Sequence, residues 1–252
     1  MTGFEKISKK EQNIADYWHE EFNKKPILHV YYDNPNEASD MYLKYLKADC
    51  EKNNIEVTVI NNLKDWLRSN ICCAELFLEP TLAQGIGVID NEGDSDYLSM
   101  NFFKGLGLNV DYPSATAEGI YKFIINHYID RKTVIGVIGR GLVGKVLIDK
   151  LIEYGYTVVE INSKTLPQTK CYLSQGCHVV IGLATQQVFS KYECDMLSRS
   201  GILLIDASNN FDTQDKLRCG KWTRNVIIER IKSNFEEFGN DYYNGGKVEW
   251  LK

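Results

Sequence analysis

The sequence predicts an α/β protein with two lobes. Short apolar runs alternate with amphipathic helical segments along most of the chain, a pattern that is typical of parallel sheets covered by helices. This alternation is interrupted near residue 113 and starts afresh at residue 133. The 252 residues are enough for two domains of ordinary size, each of which can bury a core of its own.

The N-terminal lobe is predicted to span residues 1–113. Its predicted strands are rich in β-branched and aromatic residues: 27–32, 55–60 and 71–78. Its predicted helices carry apolar residues at helical spacing: 8–23, 37–53, 62–69 and about 97–105. Because strands and helices alternate, we expect a parallel sheet. A further apolar run at 87–90 leads into an acidic loop at 91–96.

The second lobe is predicted to span residues 114–222. A helix from about 115 to 129 joins it to the first lobe, and the strand pattern then resumes. Its predicted strands are the runs that begin at residue 133 and at 157–161, 178–182 and 202–206. A late amphipathic helix at 225–238 has no strand after it, so we expect the segment 223–252 to pack back on the first lobe.

Composition excludes several classes of function. Hydrophobic residues make up 44% and charged residues 25%, and the net charge of -5 gives no general attraction for nucleic acid or anionic membranes. The N-terminus is charged where a signal peptide would be apolar. The seven cysteines include no CxxC pair, and the four histidines have no metal-site spacing. We therefore expect a cytoplasmic protein without a metal, a nucleic-acid partner or a membrane segment.

A glycine-rich turn follows the first strand of the second lobe. Gly139, Gly141 and Gly144 fit the pattern GxGxxG between a strand and a helix. In that pattern the first glycine permits a tight turn, the second lets the backbone approach a pyrophosphate, and the third allows close helix–strand contact. The helix N-terminus adds free N–H groups and a partial positive charge. The turn, with Arg140 and the pair Leu142–Val143, therefore predicts a Rossmann-type dinucleotide site, the alternative being a purely structural turn.

The choice of cofactor depends on the end of the second strand of this lobe. Enzymes that use NAD usually carry an acid there, which binds the ribose 2′-hydroxyl. Glu160 lies within the strand, and the strand end is Asn162-Ser163-Lys164. A hydroxyl and a cation at this position favour NADP, with NAD as the alternative, unless Lys164 is simply a solvated surface residue. Ala184 and Thr185, just beyond the third strand, complete the predicted cofactor site.

Several motifs of both lobes occur in a recognisable order: SDMYLKYLKADCEKNNI at 39–55, CCAELFLE at 72–79, GDSDY at 93–97, SATAEGI at 114–120, IGRGLVG at 138–144, NSKT at 162–165 and DASNN at 206–210. In this order and spacing the chain resembles the bifunctional methylenetetrahydrofolate dehydrogenase/cyclohydrolase family over about residues 27–210. The resemblance implies an oxidoreductase that acts on a CH–NH bond, a folate-like small-molecule substrate and a homodimer.

The resemblance also shows where the chain departs from the family. There, a tyrosine that orients the folate is followed four residues later by a lysine that drives the cyclohydrolase step. The corresponding residues here are Tyr42 and Leu46, and leucine can neither donate a hydrogen bond nor transfer a proton. Lys47 is close enough to replace that lysine. The glutamine that holds the lysine corresponds to Glu75, and the aspartate that reads the pterin to Asp96.

Three hypotheses for the function remain. The first is an NADP-linked dehydrogenase of a methylene-folate substrate without cyclohydrolase activity, with its catalytic site at Tyr42, Asp96, Glu75 and Lys47. The second keeps the fold but changes the substrate to an amine or imine, because a carboxylate at Glu75 suits a cation. The third is a non-catalytic homologue that binds a nucleotide or a partner. It is suggested by the family's Pro-Gly-Gly-Val-Gly-Pro-Met-Thr segment, which has no counterpart after Asn210.

Overall fold

The computed structural model describes most of both lobes: residues 26–62, 65, 74–78, 96–103, 108–111, 114–128, 130, 132–184 and 186–243. The chain divides into two compact units. The first contains Met1–Leu82, Leu98–Asp111 and Ile228–Lys252, and the second contains Ala83–Tyr97 and Tyr112–Ile227. Each unit has a five-stranded sheet. The predicted helix 8–23, most of the predicted helix 62–69 and the run 87–90 lie outside the described residues.

The sheet of the first unit has the order β2-β1-β3-β4-β5. Its elements are β1 (Ile27–Tyr31), α1 (Glu37–Lys52), β2 (Glu56–Ile60), β3 (Ala74–Leu78), β4 (Asp96–Phe103) and β5 (Leu108–Asp111). β1 pairs in parallel with both β2 and β3, which confirms the predicted parallel sheet in this lobe. The edge of the sheet differs from the prediction, because β4 and β5 pair antiparallel.

The prediction of a helix at about 97–105 is wrong, because this segment is strand β4. Its sequence shows the reason: the apolar residues Leu98, Met100 and Phe102 alternate with Ser99 and Asn101. Such alternation has the period of a strand rather than that of a helix. Asp96, which is predicted to lie in an acidic loop, is the first residue of this strand.

Helix α1 begins at a strong capping motif. The Asn36 side chain accepts hydrogen bonds from the N–H groups of Ala38 and Ser39 at 3.1 and 3.0 Å, and the Ser39 side chain in turn accepts from the Asn36 N–H. A cap of this kind stabilises a helix by about 1 kcal/mol. One face of the helix is buried: Ser39, Leu43, Leu46 and Cys50. This spacing of three and four residues is that of a helix packed on a sheet.

The second unit contains a fully parallel sheet with the order β10-β9-β8-β6-β7. Its strands are β6 (Val134–Ile138), β7 (Thr157–Ile161), β8 (Val179–Gly182), β9 (Leu203–Asp206) and β10 (Leu217–Arg218). Its helices are α2 (Ala115–His127), α3 (Leu142–Tyr154), α4 (Pro167–Gln175), α5 (Lys191–Arg199) and α6 (Gly220–Tyr243). The predicted strands of this lobe are confirmed, whereas β10 is not predicted and α6 begins earlier than expected. Helix α6 extends across the boundary between the two units.

Hydrophobic clusters cover both faces of this sheet. Ile135 and Val137 of β6 belong to one cluster together with residues of α2 and α3, whereas Ile138 belongs to the other. Since successive strand residues point to opposite faces, the strands are buried on both sides and read as continuous apolar runs. The sheet is thereby a rigid platform for the loops at the carboxyl ends of its strands.

The topology of this sheet determines where a ligand can bind. From β6 the chain passes to β7 on one side and then returns to β8 on the other. In open parallel sheets, the loops diverge at such a switch point and leave a crevice at the carboxyl ends of the strands. The turn after Ile138 lies at this point.

Candidate functional site

The glycine turn between β6 and α3 has a geometry that only glycine permits at two positions. Gly139 has φ of +102°, a conformation that L side chains rarely adopt, and its N–H donates to the Ile161 carbonyl at 2.9 Å. A Cβ at Gly144 would lie 2.0 Å from the Gly139 carbonyl oxygen. The helix therefore starts in direct contact with the turn.

Gly141 serves a different purpose in the same turn. It is the N-cap of α3, and it provides no side-chain hydrogen bond to the helix. A Cβ built at this position meets no heavy atom within 4 Å, so the space beyond it is open. The first helical hydrogen bond runs from the Lys145 N–H to the Gly141 carbonyl at 2.9 Å. The preceding N–H groups of the helix are thus available to a phosphate, as the first turn of any helix allows.

A cavity of about 430 Å³ adjoins this turn. Its walls come from the ends of β6, β7 and β8 and from α4: Ile138, Gly139, Arg140, Gly141, Ile161, Asn162, Ser163, Lys170, Leu183, Ala184, Gln186 and Val188. Six predicted cofactor residues are among them: Gly139, Arg140, Gly141, Asn162, Ser163 and Ala184. Three others do not line the cavity: Val143, Gly144 and Lys164. The side chain of Leu142 lies outside the described part of the chain. Thr185 lies outside the described residues.

The segment after β7 is a compact turn. The Asn162 side chain accepts a hydrogen bond from the Lys164 N–H at 2.9 Å, and the Thr165 N–H donates to the Asn162 carbonyl at 3.0 Å. Asparagine is favoured in such turns because its side chain can replace a backbone partner. Asn162 therefore acts first as a structural residue that holds Ser163 at the cavity wall.

The charges at the cavity are positive. Arg140 and Lys170 line it, and no carboxylate is among the lining residues in the described part of the chain. Glu160, the acid nearest to the end of β7, is paired with Arg140, with 3.2 Å between Nη1 and Oε2. The side chain of Arg140 is 59% exposed and that of Glu160 is 32% exposed, so the pair is partly solvated. Lys170 is not predicted from the sequence, because only the fold brings α4 to the end of β7.

The part of the cavity wall at Ala184 and Gln186 is held in place by Asn210, which follows β9. The Asn210 side chain donates to the carbonyl oxygens of Ala184 and Gln186 at 2.7 and 2.6 Å. The Asn210 N–H donates to Asp206 Oδ1 at 2.8 Å, and Asp206 Oδ2 lies 2.6 Å from Lys216 Nζ. A Cβ at Gly182 would lie 2.6 Å from the Asn210 side chain, so this close approach requires glycine.

The predicted catalytic residues lie in three elements. Tyr42 is half-buried on α1, and Lys47 is exposed on the same helix. Glu75 of β3 pairs in register with His29 of β1, and Asp96 is the first residue of β4. The side chains of Glu75 and Asp96 lie outside the described part of the chain. At about 100° per residue, Tyr42 and Lys47 leave α1 in directions about 140° apart.

Leu46 has no exposed surface and is a core residue of the first unit. An apolar side chain is what this position requires, since a buried ammonium group without a partner would be strongly unfavourable. The leucine at this position therefore agrees with the packing of α1.

Three buried cysteines have environments that disfavour the thiolate. Burial raises the pKa of Cys50 to about 12 and the pKa values of Cys177 and Cys194 to about 11. The thiolate is the nucleophilic form of cysteine, so these three thiols are protonated at neutral pH. Among the described residues, no group of three or more His, Cys, Asp or Glu side chains could hold a metal ion, and no helix has the length and apolar composition for crossing a membrane.

No protein-family model and no curated protein sequence matches the chain. Among solved structures, the chain is similar to the bifunctional methylenetetrahydrofolate dehydrogenase/cyclohydrolase of Campylobacter jejuni, with a TM-score of 0.61 and 15% identity over 92% of this chain and 95% of that chain. The corresponding enzyme of Trypanosoma brucei, complexed with NADP and an inhibitor, has a TM-score of 0.59 and 14% identity over 92% and 94%.

A third similar structure is the quinate dehydrogenase of Corynebacterium glutamicum in complex with NAD, with a TM-score of 0.51 and 9% identity over 85% of this chain and 100% of that chain. All three neighbours are dehydrogenases. At these identities the likeness shows the fold. The predicted fold class, an α/β lobe followed by a Rossmann-type lobe, is confirmed.

Proposed function

We propose that the chain is an NADP-linked dehydrogenase that resembles methylenetetrahydrofolate dehydrogenase, with cofactor binding in residues 114–222 and substrate binding in residues 1–113. One observation carries the proposal: the cavity beside the glycine turn lies at the switch point of a parallel sheet and is lined by two cations and no carboxylate among its described residues. A nucleotide with several phosphate groups complements both the shape and the charge of this cavity.

The described residues fit such a cofactor. The open space at Gly141 and the N–H groups of the first turn of α3 suit the pyrophosphate. Ser163 and the cations suit a 2′-phosphate on the adenosine ribose. NAD is the less favoured cofactor, because Glu160 is already engaged by Arg140 and does not line the cavity.

When bound, the cofactor would donate or accept a hydride at a carbon of the substrate. The residues of the chain would act mainly by holding the two reactants in position. The turn 139–144 would fix the pyrophosphate, and Asn210 would hold the wall formed by Ala184 and Gln186. On the substrate side, Tyr42 and Asp96 would orient the ring of the substrate, with Glu75 and Lys47 as further polar contacts.

Cyclohydrolase activity would be absent in this proposal. The family's lysine is replaced by Leu46, a fully buried side chain without a group that transfers protons. The product of the dehydrogenase step would therefore leave unchanged. A homodimer in the cytoplasm is part of the same proposal and rests on the resemblance and on the reduced thiols expected from the sequence.

The test combines binding with turnover. We expect isothermal titration to show binding of NADP, and the absorbance of reduced nicotinamide to rise when methylenetetrahydrofolate and NADP are both present. Binding of NADP without turnover of this substrate would reject the folate assignment and retain the cofactor site. Failure of both NADP and NAD to bind would reject the dehydrogenase assignment altogether and favour the non-catalytic homologue.

A dehydrogenase of another substrate, an amine or imine, is the second candidate. It is favoured by the buried Leu46, which stands where the resemblance implies a lysine, and by the acidic residue Glu75 of β3. A cationic substrate would bind more tightly after this change in charge, whereas an anionic folate would not. In a thermal-shift screen with NADP present, stabilisation by amino acids or imines but not by tetrahydrofolate would favour this candidate.

A further inference from the structure

We infer that Lys170 is the residue that selects a 2′-phosphorylated adenine nucleotide, and that Glu160 keeps Arg140 from this role. This inference rests on the proposed function, because it concerns the nucleotide in the same cavity. Lys170 is the fourth residue of α4 and is half-buried at the wall of the cavity. It is therefore presented to a ligand by a helix rather than by a flexible loop.

The other cation of the cavity is already paired. Arg140 Nη1 lies 3.2 Å from Glu160 Oε2, and Glu160 is itself fixed in β7, opposite Val137 of β6. A phosphate that recruited Arg140 would have to compete with this carboxylate or bind beside it. Both alternatives weaken the binding, since two anions would share one cation.

Lys170 has no such competitor among the described residues. In the described part of the chain, no ion pair and no side-chain hydrogen bond of its ammonium group is found, and none of the cavity-lining residues is acidic. The N-cap of helix α4 is Leu166, which provides no side-chain hydrogen bond. The partial positive charge of this helix end therefore adds to the positive potential of the Lys170 ammonium group. The ligand that complements this arrangement is a phosphate monoester with two negative charges, with Ser163 as a hydroxyl donor on the same wall.

Lys164 is the competing candidate from the sequence, since it follows the strand end directly. Its N–H is engaged in the Asn162 turn, and its side chain is exposed and does not line the cavity. Substitutions of the two lysines are therefore expected to have different effects. Substitution of Lys170 should change the preference for a 2′-phosphate, and substitution of Lys164 should not.

The experiment compares adenosine 2′,5′-bisphosphate with AMP, which differ only in the 2′-phosphate, by isothermal titration of the full chain. We expect wild type to bind the bisphosphate about tenfold or more tightly. Lys170→Met should bring this ratio close to one, because it weakens binding of the bisphosphate more than binding of AMP, and Lys170→Arg should retain most of the preference. Glu160→Gln should strengthen bisphosphate binding by releasing Arg140.

A matched control is Lys132→Met, in the turn before β6 and hence at the opposite end of that strand from the cavity. It should leave the ratio unchanged. The inference is overturned if Lys170→Met keeps the wild-type ratio, or if Arg140→Met or Lys164→Met abolishes it. Equal binding of both ligands by wild type also overturns it but leaves a dinucleotide site in place. Binding of neither ligand, nor of NADP or NAD, would reject the inference together with the proposed function.

Discussion

Asp206 and Lys216 form a buried ion pair, with 2.6 Å between the carboxylate Oδ2 and the ammonium Nζ and side-chain exposures of 0% and 9%. The pair joins the end of β9 to the residue before β10. Lys216 also donates to the Phe211 carbonyl, and the other carboxylate oxygen accepts the Asn210 N–H. Asn210 in turn binds the carbonyls of Ala184 and Gln186 in the cavity wall. The ion pair therefore stabilises the candidate cofactor site indirectly, through Asn210.

Lys216→Met should destabilise the protein by about 3–5 kcal/mol, because it leaves the Asp206 carboxylate buried without its counter-ion. The free energy of unfolding from urea denaturation measures this change. The matched control is Lys122→Met, which breaks the partly exposed pair with Glu118 and should cost no more than about 1 kcal/mol. A double variant, Asp206→Asn with Lys216→Met, should recover part of the loss. Equal losses for Lys216→Met and Lys122→Met would contradict the structural role of the buried pair.

Gly141→Glu should strongly weaken nucleotide binding while the protein remains folded. The position has φ of -68° and open space around the Cβ, so a side chain fits without strain. Its carboxylate would enter the space proposed for the pyrophosphate, and we expect NADP affinity to fall by at least about tenfold. Titration calorimetry measures the loss of NADP binding, and thermal unfolding shows whether the protein remains folded.

Gly144→Ala is the contrasting variant at the same turn. Its Cβ would lie 2.0 Å from the Gly139 carbonyl oxygen, which belongs to the backbone and cannot move independently. We expect a loss of stability of about 1–3 kcal/mol or more as well as a loss of binding. If Gly141→Glu bound NADP as wild type does, the pyrophosphate would have to lie elsewhere.

The parts of the fold that depend on local sequence could be predicted, and those that depend on long-range packing could not. The turn at Gly139 and Gly144 is recognisable because its backbone geometry excludes other residues. The wall held by Asn210 depends on hydrogen bonds across 24 and 26 residues, which no local pattern reveals. Lys170 lines the cavity because α4 packs against β7, a contact that the sequence pattern does not specify. In contrast, β4 could have been recognised from the alternation that begins at Leu98.

Leu46→Lys should destabilise the first unit and should not create cyclohydrolase activity. Leu46 is fully buried, so the new ammonium group would lose its hydration without gaining a partner, in addition to the packing loss of about 2–5 kcal/mol expected for Leu46→Ala. Urea denaturation and an assay of methenyltetrahydrofolate hydrolysis are the measurements. Lys44→Ala, at an exposed position of α1, should change stability by no more than about 0.5 kcal/mol. A stable Leu46→Lys variant with hydrolase activity would show that this position faces substrate.

Alkylation of the buried cysteines should require unfolding. The pKa of Cys177 and that of Cys194 are raised from 9.0 to about 11 by burial, so both thiols stay protonated in the folded protein at pH 8. Iodoacetamide followed by peptide mapping should label both only after denaturation.

The same shifts imply a pH dependence of stability. The unfolded chain releases these protons above about pH 9, whereas the folded protein retains them up to about pH 11. Their contribution to the free energy of unfolding is therefore complete below pH 9 and decreases as the pH rises through this window. Rapid labelling of either cysteine in the native protein at pH 8 would contradict the burial of both residues.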